Sequence, residues 1–321
     1  MNRATRSGCR AIFASAIVLV LSMWPASAQT CHAGLDSLNF GVINLAANVA
    51  YDTSGSLHLT CSGTVGSTVR ICPNIGAGSG GQAGSGDPRY MINGADQLHY
   101  NLFKDAGHTA IWGSYTGNFT SPQADITLNA SGTGSAIVPI YARVYAGQGS
   151  LPAVNYQSVF DGSQSSISYA YSAAGTCSAI AATHQTALPF AVTANDAATC
   201  TIAANALNFG TIPSTQAAIS ASTTLSATCS SGTNYTIALD GGLSEASDPT
   251  QRHMMHGADQ LTYGLYKDAS HAQPWGSTTG QTVAGTGTGS AQNVTVYGLI
   301  PIQTSPPIGT YQDYVIVTIT Y

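Results

Sequence analysis

Charge is scarce in this chain. Asp, Glu, Lys and Arg make up 7% of its 321 residues, with only two lysines, Lys104 and Lys267, and one glutamate, Glu245. A net charge of −5 with so few cations excludes the basic face that nucleic acid or an anionic membrane surface would require. No segment sustains the apolar period of an amphipathic helix. Also missing are G-x-S-x-G, H-E-x-x-H and G-x-x-x-x-G-K-[ST], so the common hydrolase, metalloprotease and phosphate-loop signatures have no foothold. The glycine run "GAGSGGQAGSG" (residues 76–86) has no lysine and no following helix to bind phosphate, and reads as a mobile loop. His253 and His256 in "HMMH", with His271, could ligate a metal, but their i, i+3 spacing suits a helix better than a strand. They read as ordinary loop histidines. The expectation is a non-enzyme with no cofactor, no metal site and no catalytic residue.

Only one apolar run is long, and it lies at the start. Arg3, Arg6 and Arg10 precede "AIFASAIVLVLSMW", and Ala26-Ser27-Ala28 forms a small-residue cleavage site, so residues 1–28 read as a secretory signal. The run falls short of the ~20 residues of a spanning helix. Cleavage before Gln29 would remove three arginines, shift the net charge from −5 to −8 and leave a length suited to two domains. Abundant Gly, Ser, Thr and Ala, with 16 tyrosines and recurrent β-branched runs, fit an exported all-β protein.

What is present comes twice. "GADQLHYNLFKDAGHTAIWG" (residues 94–113) returns as "GADQLTYGLYKDASHAQPWG" (residues 257–276), with 13 of 20 positions identical and both lysines in register. Trp112 and Trp275 match as well. Each copy opens with a cysteine followed by Leu-Asn-Phe-Gly: "CHAGLDSLNFG" from Cys31 and "CTIAANALNFG" from Cys200. A strand-like run then ends in a second cysteine, Cys61 or Cys229. Six cysteines follow the signal, and the repeat narrows their fifteen pairings to Cys31–Cys61, Cys200–Cys229 and, by elimination, Cys72–Cys177. Zinc is disfavoured by the exported compartment and the lack of C-x-x-C.

Runs of five to eight alternating residues between Gly, Ser and Asn turns predict a β-sandwich for each copy. Leu98, Tyr100 and Leu102 fall on one strand face, as do Leu261, Tyr263 and Leu265. Lys-Asp, a turn and Trp-Gly read as a hairpin end with the indole folded over the core. Domain limits follow: 29–175, a connection at 176–199, and 200–321.

The order Cys, "LNFG", second Cys, "LxYxLYKD", "WG" and a final alternating strand ending in Tyr resembles the spore coat protein U domain. That family includes subunits of archaic chaperone–usher pili of Gram-negative bacteria. The resemblance implies two tandem immunoglobulin-like β-sandwiches, the C-terminal one lacking its last strand. It implies a periplasmic pilus chaperone, an outer-membrane usher and the next pilin subunit as partners, the last by strand donation. Val315, Val317, Ile319 and Tyr321 would form the strand beside the acceptor groove. Only Gln29 and Thr30 would precede Cys31, too few for a donor, so the expected place is the pilus tip, secreted through the periplasm to the cell surface. A coat or matrix protein outside any fibre is the alternative.

The connection carries "ALPFAVTAND", where Leu188, Phe190, Val192 and Ala194 alternate. This segment reads either as a donor strand completing domain 1 in cis or as a flexible linker, and Pro189 would confine such a strand to an edge. Two stretches of domain 1, "TAIWGSYTGNF" and "GSLPAVNYQSVF", are more apolar than their counterparts in domain 2. Ile111, Tyr115, Leu151, Val154 and Tyr156 are therefore the candidate contacts with an abiotic or host surface.

Overall fold

The computed structural model describes residues 29–115, 117–172, 174–180 and 184–321, together with Met1. The rest of the signal segment lies outside the described residues. Domain 1 runs β1 (Thr30–Leu35), β2 (Leu38–Ile43), β3 (Tyr51–Ser62), β4 (Thr68–Ile75), β5 (Arg89–Asn93) and β6 (Asp96–Phe103). It continues with β7 (Ala124–Thr127), β8 (Thr133–Val144), β9 (Asn155–Phe160) and β10 (Ser165–Ala170). A one-turn helix, α1 (Cys177–Ile180), leads to β11 (Gln185–Ala187) and β12 (Phe190–Asp196). Domain 2 comprises β13 (Cys200–Ala204), β14 (Ile219–Cys229), β15 (Asn234–Leu239) and β16 (Arg252–His256). Its remaining strands are β17 (Asp259–Tyr266), β18 (Val283–Thr286), β19 (Ala291–Ile300) and β20 (Val317–Thr320).

Alternation explains these strands. In β3, Leu57, Leu59 and Cys61 are buried while His58 and Thr60 face water; in β14, Leu225, Ala227 and Cys229 are buried in the same rhythm. Each domain is two packed sheets around its own apolar core. Domain 1 has sheet orders β1-β3-β8-β6-β5-β9-β12-β2 and β11-β10-β4-β7; domain 2 has β13-β14-β19-β17-β16 and β18-β15-β20. The orders superpose element for element until the domain 2 sheets stop short. Cys31–Cys61 joins directly opposed residues of β1 and β3, and Cys200–Cys229 does the same for β13 and β14, both with Cα atoms 4.1 Å apart. Cys72–Cys177 ties β4 to α1.

The duplicated segment is a structural clasp. Asp105 accepts from the Ala110 N–H at 2.7 Å, and Asp268 accepts from the Gln273 N–H at the same distance, closing matching turns. Lys104 and Lys267 donate to loop carbonyls of Thr120 and Gly280. The buried indoles donate across the core, Trp112 to the Pro73 carbonyl and Trp275 to that of Ile237, each at 3.0 Å.

The glycine run is not the mobile loop its composition suggests. Gly76 N–H donates to the Gln164 carbonyl, Ser79 exchanges hydrogen bonds with Val159, and Tyr90 N–H donates to the Gly81 carbonyl. A Cβ on Gly80 would come within 1.8 Å of the Tyr90 carbonyl oxygen. At Gly80 glycine serves close backbone approach, and at Gly78, Gly81 and Gly86 it supplies a left-handed backbone.

The domains meet through main chain. Ala153 N–H donates to the Ser231 carbonyl at 3.3 Å, and a Cβ on Gly289 would meet the Gly149 carbonyl oxygen at 1.8 Å. The covalent link is short, because Asp196 ends β12 and Cys200 begins β13.

Candidate strand-acceptor groove

The two domains differ most at one place. In domain 1, β12 lies between β9, to which it is antiparallel, and β2, to which it is parallel. Leu188, Phe190, Val192 and Ala194 are all buried in the core, and the Phe190 ring stacks on Phe160 with centroids 4.4 Å apart. Ahead of β12, β11 pairs with β10, so one segment crosses from the free edge of one sheet into the middle of the other. Pro189 falls at the crossing, before the first residue of β12. The edge restriction expected from it does not apply, because its missing N–H withdraws nothing from the ladder.

Register locates the same place in domain 2. Ile92 of β5 bridges Gln157 of β9, and the matching Met255 of β16 bridges Gln312. Tyr311, Asp313 and Val315 therefore correspond to Tyr156, Ser158 and Phe160. The second "LNFG", at residues 207–210, corresponds to β2 but forms no strand. Between these two segments, where domain 1 holds β12, domain 2 has an open groove of about 680 Å³. Leu207, Phe209, Leu225, Met254, Val296 and Val315 supply its apolar lining. Tyr263 and Asp313 add one polar spot, with the Tyr263 hydroxyl donating to Asp313 Oδ2 at 2.6 Å. Burial, and then the neighbouring carboxylate, push the Tyr263 phenol well above its ordinary pKa.

The sequence-derived site residues divide. Val315, Val317 and Ile319 turn inward against the domain 2 core, half-buried, and Val315 and Val317 line the groove. Tyr321 stays 59% exposed at the end of that row. β20 pairs with β15 alone among the described residues, so the edge that β11 covers in domain 1 is open here.

The candidate surface contacts need correction. Tyr156 is 1% exposed and its hydroxyl donates to the Pro152 carbonyl, so it is a core residue. Leu151 and Val154 pack on the domain 1 core, in the loop whose Ala153 bonds to domain 2. That apolar stretch serves the core and the domain junction, not a free pole. Ile111 is half-buried beside Phe103, and Tyr115 is 38% exposed. His253 and His256 stand on β16 rather than in a loop; His256 leans on Tyr311.

Sequence reading missed the buried arginines, Arg89 and Arg252. Arg89 donates to the carbonyls of Gly76, Ile75 and Trp112, and Arg252 to those of Asp240, Pro249, Leu239 and Trp275. Each stands five residues before its "GADQ", a signal the repeat did contain.

A two-sandwich chain with one slot filled from within and one slot open is the class of molecule these features define. The Spore Coat Protein U domain model matches residues 16–161 and 186–318, and the chain belongs to that family. Protein U of Myxococcus xanthus is 37% identical over 103 residues, which span 30% of this chain and 58% of that protein. A chain in the crystal structure of the CsuC–CsuE chaperone–tip adhesion subunit pre-assembly complex, from archaic chaperone–usher Csu pili of Acinetobacter baumannii, shares the fold. It aligns over 91% of this chain and 100% of its own length, with a TM-score of 0.54 and 18% identity. The CupB6 tip adhesin from Pseudomonas aeruginosa aligns over 91% and 94% of the two chains at a TM-score of 0.41 and 13% identity.

Proposed function

We propose that this chain is an adhesive tip subunit of a chaperone–usher pilus, reaching the cell surface of a Gram-negative bacterium through the periplasm. Domain 1 is completed in cis by Leu188–Ala194. Domain 2 takes its missing strand in trans, first from a periplasmic chaperone and then, at an outer-membrane usher, from the next subunit. The observation that carries this reading is the open groove of domain 2 at the position that β12 fills in domain 1. An apolar groove beside an unpaired sheet edge is a liability in water unless a partner covers it. Domain 1 contributes surface contact, with Ile111 and Tyr115 retained as the contact candidates.

The test is to fuse a donor segment after Tyr321 through a flexible linker and compare unfolding with that of the unmodified chain. The expected outcome is a monomer with a higher second transition, against association or chaperone dependence without the fusion. An unmodified chain that is monomeric and gains nothing from any fused strand would favour a coat protein outside a fibre.

A further inference from the structure

The two slots are not equivalent at their third inward position. In domain 1, Val192 lies directly across from Ser158 on one side and from Leu38 on the other, and all three residues are buried. The corresponding neighbours in domain 2 are Asp313 and Leu207, and both line the open groove. A small hydroxyl in the filled slot is thus a carboxylate in the open one.

Three protein donors already reach this carboxylate. Oδ1 accepts from the N–H groups of Leu243 at 2.7 Å and Tyr314 at 2.8 Å, and Oδ2 accepts from the Tyr263 hydroxyl at 2.6 Å. A carboxylate has about four acceptor sites, so three donors leave one, and Asp313 lines the groove. A strand seated there removes that site from water. Leaving it unmatched carries the desolvation penalty of a charged acceptor, whereas a donor placed opposite regains a charge-assisted bond.

We propose that Asp313 determines which strand domain 2 accepts: an extended segment of another protein chain with apolar residues at alternate positions but a hydrogen-bond donor such as Thr at the position Val192 occupies in domain 1. This rests on the acceptor-groove reading and adds a selection rule to it. It follows that the chain's own Gln185–Asp196 segment, with Val at that position, is a poor ligand for domain 2 of a sister copy. Asp313 thereby disfavours self-insertion.

A second difference has the same sense. Phe160, on which Phe190 stacks, corresponds to Val315, so the aromatic of the cis strand would lose its ring partner in domain 2.

The experiment uses the full chain and two fluorescently labelled synthetic peptides: one with the sequence of Gln185–Asp196, the other the same peptide carrying Val192→Thr. Polarisation titration is expected to give about tenfold tighter binding of the Thr peptide, the ratio one hydrogen bond to a carboxylate supports. In the Asp313→Ser chain, which restores the residue of the filled slot, that preference should vanish or reverse. A native chain binding both peptides equally, or the Val peptide more tightly, overturns the selection rule while leaving the groove reading intact. An Asp313→Ser chain that still prefers Thr also overturns it. Failure of both peptides to bind either chain overturns the groove reading and the rule together.

Discussion

Arg89 and Arg252, 163 residues apart, make the same bond. Each buried guanidinium donates to the carbonyl of its domain's core tryptophan, Trp112 at 2.7 Å and Trp275 at 3.0 Å. Neither has a carboxylate within salt-bridge distance among the described residues. The cation is instead divided among carbonyls at the end of the sandwich. Arg89→Met would strand those carbonyls in a dry interior, at a cost of about 3 kcal/mol or more. Arg89→Lys should restore little, because one ammonium cannot span the fork of acceptors. Denaturant unfolding of the full chain, read at the domain 1 transition, checks both.

Removing the Phe190 ring should weaken domain 1 and spare domain 2. Phe190→Ala deletes a buried ring stacked on Phe160, and about 3 kcal/mol is the expected loss. Deleting Leu188–Ala194 outright should abolish the domain 1 transition. An unchanged first transition after the deletion would return the segment to the status of a linker.

Val317→Asp or Ile319→Asp should abolish co-purification with a periplasmic pilus chaperone. Both side chains face the domain 2 core, where an unpaired carboxylate is costly. Thr318→Asp, on the exposed side of the same strand, should leave capture unchanged and serves as the control.

Asp196 should make the stability of domain 1 depend on pH. Burial holds its carboxyl above the ordinary range, opposed by the Leu45 N–H at 2.9 Å, and among the described residues Oδ2 has no hydrogen-bond partner. With the folded-state pKa raised, its contribution to stability is fully present below the unfolded value of about 3.9 and is lost as pH rises through the folded value. Asp196→Asn should therefore raise the melting temperature of domain 1 near neutral pH and leave it unchanged at about pH 3. Equal effects at both pH values would mean that the side chain acts through packing alone.

Ile111→Ser combined with Tyr115→Ser should reduce attachment to hydrophobic surfaces while fibres still assemble. Tyr115 presents part of its ring to water, and replacing both residues leaves the core residue Trp112 in place. Attachment unchanged on hydrophobic and hydrophilic supports alike would remove this loop from an adhesive role.

Much of the architecture was readable because it is local and comes twice. Cysteine spacing, the alternation around Leu57 and Leu225, and the clasp between Asp105 and Trp112 each lie within one stretch of chain. What escaped depends on distant partners. The apolar character of Leu151 and Val154 looked like exposed surface, since nothing nearby in sequence announces domain 2 across the junction. β11 is three residues long and has no period to detect, yet it covers the edge of β10. Composition misled at residues 76–86, where glycine density implies mobility but the run is held by hydrogen bonds to Val159 and Gln164, with Gly80 packed against Tyr90. Arg89 and Arg252 were visible as a matched pair, but a lone arginine carries no sign that it is buried.

The bridge between Cys72 and Cys177 acquires a mechanical meaning once the path of tension is traced. A pull applied to domain 2 passes along the covalent chain from Cys200 through residues 197–199 into Asp196, the last residue of β12. The component of that pull along the strand would load it in shear, straining its ladders to β9 and β2 together rather than opening them one bond at a time. Should it slip, the slack runs back only as far as Cys177, where the disulfide passes the tension to β4 in the opposite sheet. Residues 178–199 then pay out at most about 75 Å. The fold thus holds a short extensible tether, stopped by a covalent catch, in the domain assigned here to touch the surface.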